Sequence, residues 1–254
     1  MLTVSLQSGS NGNCIYVEAG DVRLLFDAGI SGKQAAVRLA ARGRDIHECT
    51  ALILSHEHSD HVCCAGIFQR KFKLPVYCTR STYRETQRVI GPIEGVRFFD
   101  SGDTLEFGSV RVHTLRTPHD GVDSVCFMVE HEGKRLGIFT DLGHPFAALR
   151  GALASVDAAY LESNYDPDML WNGGYTPWAK ARIAGDSGHL SNDEAADMTK
   201  TAISSSKLKW LSVAHLSHEN NVPELALEAQ RTRVGAALPV FVASRYGVGE
   251  MLEV

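Results

Sequence analysis

The sequence contains no apolar run that approaches the roughly 20 residues a helix needs to span a membrane. Its first residues, MLTVSLQSGSNGNC, also lack the basic segment and the apolar segment of a secretory signal. From these two absences we expect a cytoplasmic protein with no membrane partner.

Paired cysteines and an excess of basic residues are missing as well. The six cysteines form no Cys-x-x-Cys pair, and a chain of 254 residues can fold without disulfide bonds, which predicts free thiols in a reducing compartment. Lys and Arg number 25 against 30 Asp and Glu, so the formal net charge is -5 and no general positive field attracts nucleic acid. A substrate that carries phosphate would therefore need local positive charge, such as bound metal ions.

Short apolar segments separated by turn residues run through the whole sequence and predict an α/β protein (α+β in some schemes). Strands are predicted at residues 2–7, 13–20, 22–29, 51–55, 75–78, 104–108, 110–116, 124–131, 135–141, 158–163, 208–215 and 239–244. Helices are predicted at 33–42, 63–71, 81–89, 192–204 and 223–233, with an irregular loop at 163–192. At this length we expect a single domain over residues 1–254, built as a four-layer αββα sandwich in which helices flank two mixed β-sheets.

The segment LSHEHSDHVCC holds the densest group of candidate metal ligands. It places His56, His58, Asp60 and His61 within six residues, directly after the apolar strand 51–55. Clustered histidine and aspartate are typical of a metal site, where imidazole suits Zn, Fe, Mn or Ni and carboxylate oxygens favour the harder of these ions. In extended backbone His56 and His58 face the same side while Asp60 and His61 face elsewhere, so one segment can serve two cations.

Further ligand-type residues follow other predicted strands. Asp27, Asp141 and His215 each lie at the carboxyl end of a strand, which is the usual place for a site in layered α/β folds. The histidines that match no such pattern are predicted to be structural or, for the last, on the surface: His47, His113, His131, His144 and His218.

These motifs together resemble the metallo-β-lactamase superfold. Asp27 in LLFDAG is similar to the first family motif and HEHSDH at 56–61 to the second. His119 in RTPHD, Asp141 in IFTDLG and His215 in SVAHLS are similar to the third, fourth and fifth. All five occur in the family order and span nearly the whole chain. The resemblance implies the αββα fold and a metal-dependent hydrolase.

The resemblance also implies two divalent metal ions per chain, of Zn, Mn or Fe. One ion would be held by His56, His58 and His119, and the other by Asp60, His61 and His215. Asp141 would bridge the two ions together with a water or hydroxide, and Asp27 would orient the ligands. Two adjacent dications acidify a shared water and stabilise the oxyanion that forms, so Asp60 and Asp141 count as catalytic residues.

Segments of the second half narrow the substrate. LESNYDPDML (161–170), GDSGHLSNDEAA (185–196) and AHLSHENN (214–221), with SGSNGNC (8–14), resemble the YycJ/WalJ-like subfamily, whose members look like 5′–3′ DNA exonucleases. A subfamily of cyclic phosphodiesterases shares a similar Gly-His-Leu element, so the resemblance indicates phosphodiester chemistry more strongly than it indicates DNA.

We therefore predict a dinuclear metal-dependent phosphodiester hydrolase, a 5′–3′ DNA exonuclease, in which a metal-bridging hydroxide attacks phosphorus. One alternative is a small-molecule hydrolase, either of cyclic phosphodiesters or of a thioester in the manner of glyoxalase II. Another is a metal-binding regulatory protein without catalytic activity.

The substrate is expected to meet polar residues outside the metal motifs. His189 in GDSGHLSN is predicted to contact the substrate phosphate or to protonate the leaving alkoxide, unless it only caps or packs its loop. The other candidate substrate contacts are Ser8, Ser10, Asn11, Asn13, Asn164, Asn220 and Asn221. Arg80, Arg84 and Arg88 recur every four residues on a predicted helix and form a basic stripe, which either tracks a nucleic-acid backbone or is a solvated helix face.

Overall fold

Two mixed β-sheets form the centre of the protein. The computed structural model describes residues 1–204, 207–236 and 238–254. The first sheet contains β1 (Leu2–Gln7), β2 (Cys14–Ala19), β3 (Val22–Phe26), β4 (Ala51–Ile53), β5 (Val76–Cys78), β6 (Arg97–Phe98) and β14 (Leu252–Glu253). The second contains β7 (Thr104–Phe107), β8 (Val110–Arg116), β9 (Val125–His131), β10 (Lys134–Phe139), β11 (Ala158–Glu162), β12 (Trp210–Ala214) and β13 (Val240–Val242).

The two sheets have the same internal plan. The order of the first is β14-β1-β2-β3-β4-β5-β6, antiparallel from β14 to β3 and parallel from β3 to β6. The order of the second is β13-β12-β11-β10-β9-β8-β7, antiparallel from β7 to β10 and parallel from β10 to β13. In each sheet the parallel strands follow one another through crossover helices, so their carboxyl ends meet at one edge.

The longer helices cover the outer face of each sheet, and short helices lie in the connecting segments. They are α1 (Gly32–Ala40), α2 (Ser59–Val62), α3 (Ala65–Phe72), α4 (Arg80–Ile90), α5 (Ala147–Ser155), α6 (Pro167–Asn172), α7 (Pro177–Ile183), α8 (Asn192–Ile203) and α9 (Pro223–Val234), with a 3₁₀ turn at Ile46–Glu48.

Three apolar clusters separate the layers. The cluster between the sheets includes Phe26 and Phe127, whose ring centroids lie 5.0 Å apart. One outer cluster packs Phe68 of α3 against the first sheet, and the other packs Leu153 of α5 and Met198 of α8 against the second. This arrangement confirms the predicted four-layer αββα sandwich. None of the helices in the described ranges combines the length and the hydropathy that crossing a bilayer requires.

Several predicted elements differ from the structure. The prediction of an irregular loop over 163–192 is wrong, because α6 and α7 lie within it. Each of these helices begins with a capping side chain followed by proline, Asp166-Pro167 and Thr176-Pro177, and this start signal outweighs the local Asn and Gly content. The helix predicted at 63–71 corresponds to α3, and a short helix that was not predicted, α2, precedes it, so Asp60 and His61 are helical rather than in a loop. Helix α5 and the short edge strands β6 and β14 were not predicted.

Candidate metal centre

The site is assembled at the edge where the parallel strands of both sheets end. Asp27 directly follows β3 and His215 directly follows β12, while His56 and Asp141 lie a few residues beyond β4 and β10. Three of these residues have a backbone in the left-handed region, which residues other than glycine rarely adopt: the φ angles are 63° for Asp27, 58° for Asp141 and 55° for His215. Such strain persists only where the surroundings fix the backbone, and it is concentrated at functional sites.

The first ligand group consists of His56, His58 and His119. One ring nitrogen of each lies within 4.8 Å of the others, and Nε2 of His119 is 3.2 Å from Nδ1 of His58. Nδ1 of His119 donates to the carbonyl oxygen of Gly188 at 2.9 Å, and Nδ1 of His56 lies 2.9 Å from Oγ of Ser55, so the other nitrogens are free to bind an ion. Burial lowers the pKa of His56 and of His119, which keeps both rings neutral, as a metal ligand must be.

The second ligand group consists of Asp60, His61 and His215. Nδ1 of His61 lies 2.7 Å from Oδ2 of Asp27, which leaves Nε2 turned towards Oδ2 of Asp60 at 3.5 Å. Nε2 of His215 is 3.3 Å from the same oxygen of Asp60. Burial alone would lower the pKa of His215, but the carboxylates of Asp141, Asp60 and Glu162 outweigh it and raise that pKa to about 10. The site thus holds more buried negative charge than neutral imidazoles can balance.

Asp141 lies between the two groups. Its Oδ1 is 3.6 Å from Nε2 of His119 and 3.7 Å from Nε2 of His215, and its Oδ2 is 3.2 Å from Nε2 of His61. Burial raises the pKa of Asp141, but the surrounding imidazoles lower it well below the usual range, so the side chain is a carboxylate. One anionic group therefore reaches ligands of both groups.

The donor set fits divalent metal ions. Among the described residues, Nε2 of His56 and Oδ2 of Asp141 are buried and make no hydrogen bond. Buried polar atoms nearly always have a hydrogen-bond partner. Two unpaired acceptor atoms in the same group of histidine and aspartate side chains are therefore unusual. A cation would pair with both and would balance the carboxylates. The His and Asp clusters are compatible with divalent metal binding.

Glu162 is a site residue that the sequence interpretation missed. It is the last residue of β11 and is completely buried. Its Oε1 accepts a hydrogen bond from Nδ1 of His189 at 2.7 Å and lies 3.3 Å from Nδ1 of His215. Its Oε2 accepts from the backbone N–H groups of Leu142 and Leu190. Burial raises the pKa of Glu162, but the charge and hydrogen bond of His189 lower it to about 2. Its position at a strand end, like that of Asp27, was the available signal.

Comparison with known proteins assigns the family. Residues 8–212 match the model of the metallo-beta-lactamase superfamily. The chain belongs to the metallo-beta-lactamase superfamily.

Two curated members of this superfamily resemble the chain over most of its length. The exodeoxyribonuclease YycJ of Bacillus anthracis is 34% identical over 252 residues, which cover 98% of this chain and 92% of that protein. The exodeoxyribonuclease WalJ of Streptococcus pneumoniae (strain D39) is 33% identical over 226 residues, 87% of this chain and 83% of that protein. The expected membership of the YycJ/WalJ-like subfamily is confirmed. The crystal structure of YhfI from Bacillus subtilis, at 18% identity and a TM-score of 0.75, covers 98% of this chain and 100% of its own and has the same fold.

Some of the predicted substrate residues line a groove beside the candidate metal centre, and others contact its ligand residues. Ser10, Asn164 and His189 line one groove beside it. Ser8 and Asn13 instead support the ligands. Oγ of Ser8 accepts from the backbone N–H of His215 at 2.9 Å, and Nδ2 of Asn13 lies 3.0 Å from Nε2 of His61.

The other predicted substrate residues, Asn11, Asn220 and Asn221, do not line this groove. The amide of Asn221 is buried and donates to the carbonyl oxygens of Ser163 and Asn164. Asn220 is buried as well, and its backbone carbonyl accepts from Asp166. Asn11 is exposed and donates to the carbonyl oxygen of Arg245. The substrate roles of Asn11, Asn220 and Asn221 stay predictions; the side chain of Asn221 is hydrogen-bonded within the protein, whereas Nδ2 of Asn220 is buried without a partner among the described residues.

Asp120 is a second carboxylate that the sequence interpretation did not single out. Its Oδ1 lies 3.4 Å from Nε2 of His58 and 3.4 Å from Nε2 of His119, and its Oδ2 forms an ion pair with Arg182 of α7. Helix α7 is thereby attached to the first ligand group. His218 is exposed, as predicted, and Arg80, Arg84 and Arg88 are exposed on α4.

Proposed function

We propose that this protein is a dinuclear metal-dependent phosphodiester hydrolase, and specifically a 5′–3′ DNA exonuclease that acts as one domain over residues 1–254. The observation that carries the proposal is the 34% identity, over 98% of the chain, to a protein named exodeoxyribonuclease. The small-molecule hydrolase and the non-catalytic regulator are not favoured by these relatives. A DNA substrate and six free thiols support a cytoplasmic location.

The ligand geometry supports a centre with two divalent ions of Zn, Mn or Fe. His56, His58 and His119 would hold the first ion, Asp60, His61 and His215 the second, and Asp141 would contact both. Such ions supply acidified water as the nucleophile and positive charge for the oxygens of the phosphoryl group in the transition state. Asp27 would fix the orientation of His61 through the 2.7 Å contact.

The groups of the chain that handle protons are Glu162 and His189. Because Nδ1 of His189 donates to the ionised Glu162, Nε2 is the nitrogen left for the substrate side. When water attacks phosphorus, the bond from phosphorus to the leaving oxygen breaks, and the proton on Nε2 passes to that alkoxide. His189 is thus proposed as the general acid.

Metal analysis of the purified protein, combined with digestion of 5′- and 3′-labelled DNA, tests this proposal. We expect bound divalent metal, stepwise loss of nucleotides from the 5′ end in Mn²⁺ or Zn²⁺, and intact DNA in a chelator. The His119→Ala variant is the control for a contaminating nuclease, because it should lose metal and activity together. The absence of turnover of DNA and of bis(p-nitrophenyl) phosphate with every metal would contradict the proposal.

A further inference from the structure

A groove next to the metal centre carries exposed aromatic side chains. We call it the aromatic groove and define it by Tyr175, Trp178 and Arg182, from α7 and the residues before it, and by Ser10, His189 and Ser217 from the surrounding loops. Its volume is about 250 Å³. Because His189 belongs both to the groove and to the Glu162 contact, the groove is continuous with the candidate active site.

The aromatic residues of this groove are not explained by packing. Trp178 is 75% exposed and Tyr175 is 39% exposed, and α7 buries none of its residues. An indole that stays in water loses the free energy that its burial would contribute, and exposed aromatic surface beside a site commonly marks a binding surface. The proximity to His189 indicates that the missing contact is with the substrate.

The charges around the aromatic groove favour an anionic occupant. The segment 175–183, YTPWAKARI, contains Lys180 and Arg182 and no acidic residue, although the whole chain has a net charge of -5. Arg182 is about half exposed, and its only recorded ion pair within the described ranges is with Asp120, next to His58 and His119. Arg182 is therefore held beside the metal ligands with part of its guanidinium open to solvent.

Exposed aromatic rings combined with basic side chains are the usual means of binding single-stranded nucleic acid. Aromatic rings stack on bases of any sequence, and cationic groups contact the backbone. We propose that the aromatic groove binds an unpaired nucleobase of the substrate strand, stacked on Trp178 and Tyr175, with Arg182 against an adjoining phosphate. This inference rests on the proposed nuclease function and adds that the enzyme requires an unpaired base next to the bond that it cleaves.

Binding and digestion of single-stranded oligonucleotides by the metal-loaded protein test the groove. We compare Trp178→Ala with Trp171→Ala, which removes another exposed indole, 55% accessible, from α6 outside the groove. Stacking of one base on one ring predicts a Kd about 5- to 150-fold higher for Trp178→Ala, measured by fluorescence anisotropy with a phosphorothioate strand. Trp171→Ala should bind like the wild type, and Trp178→Phe should recover most of the lost affinity.

A substrate with an abasic terminal nucleotide completes the experiment. The wild type should lose affinity for this strand, whereas Trp178→Ala should lose no more, because the ring and the base form one interaction. Equal Kd values for wild type and Trp178→Ala, in a wild type that digests DNA, would overturn the groove and leave the nuclease function standing. A wild type that digests no DNA would instead overturn the nuclease function. Dissociation of a dimer by Trp178→Ala with unchanged DNA binding would show a contact between copies and also overturn the proposal.

Discussion

Oδ2 of Asp27 lies 2.7 Å from Nδ1 of His61, and this contact determines which nitrogen of the ring faces the metal centre. The two oxygens of Asp27 also accept hydrogen bonds from the backbone N–H and the hydroxyl of Ser55 at 2.8 and 3.0 Å, so the carboxylate has one orientation. With Nδ1 occupied, Nε2 of His61 lies towards Asp60 and Asp141. The carboxylate of Asp27 thus contacts His61 and Ser55 behind the second ligand group.

The substitution Asp27→Asn should weaken metal binding without unfolding the protein. Asparagine tolerates the left-handed backbone at this position, but it replaces a charged acceptor of the His61 hydrogen by a neutral amide. Loss of such an outer partner lowers metal affinity by about 10- to 100-fold. Titration of the metal-free protein with Zn²⁺ in competition with a chromogenic chelator measures the change. Asp21→Asn, in the exposed turn between β2 and β3, is the matched control. Wild-type affinity in Asp27→Asn would refute the orienting role.

The substitution His189→Ala should lower kcat and leave the metal content unchanged. The ring contacts Glu162 and lines the aromatic groove, and it lies outside the two predicted ligand groups. General-acid assistance contributes about 10²- to 10⁴-fold, so a loss within this range is expected for DNA digestion. The control is His218→Ala, which removes an exposed histidine from the loop after β12. An unchanged kcat with both ions retained would remove His189 from the mechanism.

The backbone around Gly29 is a second determinant of the metal centre. A Cβ atom at Gly29 would lie 1.7 Å from the backbone oxygen of Asp60, because the loop after β3 packs directly on the start of α2. The backbone N–H of Asn13 donates to the same oxygen at 2.8 Å, and the N–H of Ala28 donates to the carbonyl of His61. Any side chain at Gly29 must therefore displace the backbone that carries Asp60.

We accordingly expect Gly29→Ala to reduce both stability and metal affinity. Overpacking of this kind costs about 1–3 kcal/mol, which urea denaturation of the metal-free protein can resolve. Gly151→Ala, at an exposed position of α5 with no atom within 4 Å of the new Cβ, should increase stability by about 0.5–1 kcal/mol. The prediction fails if both variants unfold at the same urea concentration as the wild type.

The sequence identifies those site residues that follow an apolar strand or occur in a dense motif. Asp27, His56, Asp141 and His215 could be predicted because an apolar strand marks where a loop begins. Glu162, the last residue of β11, has the same strand-end position but belongs to no dense motif, and it joins the site only through the contacts of its carboxylate with His189 and His215 from distant segments. Contacts between residues that are distant in sequence depend on the tertiary structure, and the pattern of strands in the sequence does not predict them.

Some elements of the fold could not be predicted from the hydrophobic pattern either. The strands and long helices follow hydrophobic periodicity, whereas α6 and α7 are short and are specified by their caps and prolines. Loop asparagines were equally ambiguous, since the same amide serves a substrate or a neighbouring carbonyl. The amide of Asn221, for example, donates to the carbonyl oxygens of Ser163 and Asn164, a pairing that the sequence pattern does not reveal.

The salt dependence of DNA binding should separate the basic stripe on α4 from Arg182. Strands β4 and β5 are parallel, so α4 begins at Arg80 on the edge that carries the metal centre and then runs back from it. At a rise of about 1.5 Å per residue, Arg88 lies about 12 Å further along the helix than Arg80. Arg80 itself is placed over the ring of Phe98, 4.5 Å from its centroid. Since Arg84 and Arg88 are exposed and lie farther from the metal centre than Arg80, we interpret the basic stripe as a solvated helix face.

We expect the Arg84→Gln/Arg88→Gln double variant to keep the wild-type slope of log K against log salt concentration. Arg182→Gln should lower that slope by about 0.7, the value for one phosphate contact on a single strand. The comparison is matched, since every substitution replaces an exposed or half-exposed arginine by glutamine. The slope depends only on those arginine and lysine side chains that contact DNA phosphates. A reduced slope in the double variant would therefore show that the bound DNA also contacts α4. An unchanged slope in Arg182→Gln would exclude Arg182 from phosphate binding.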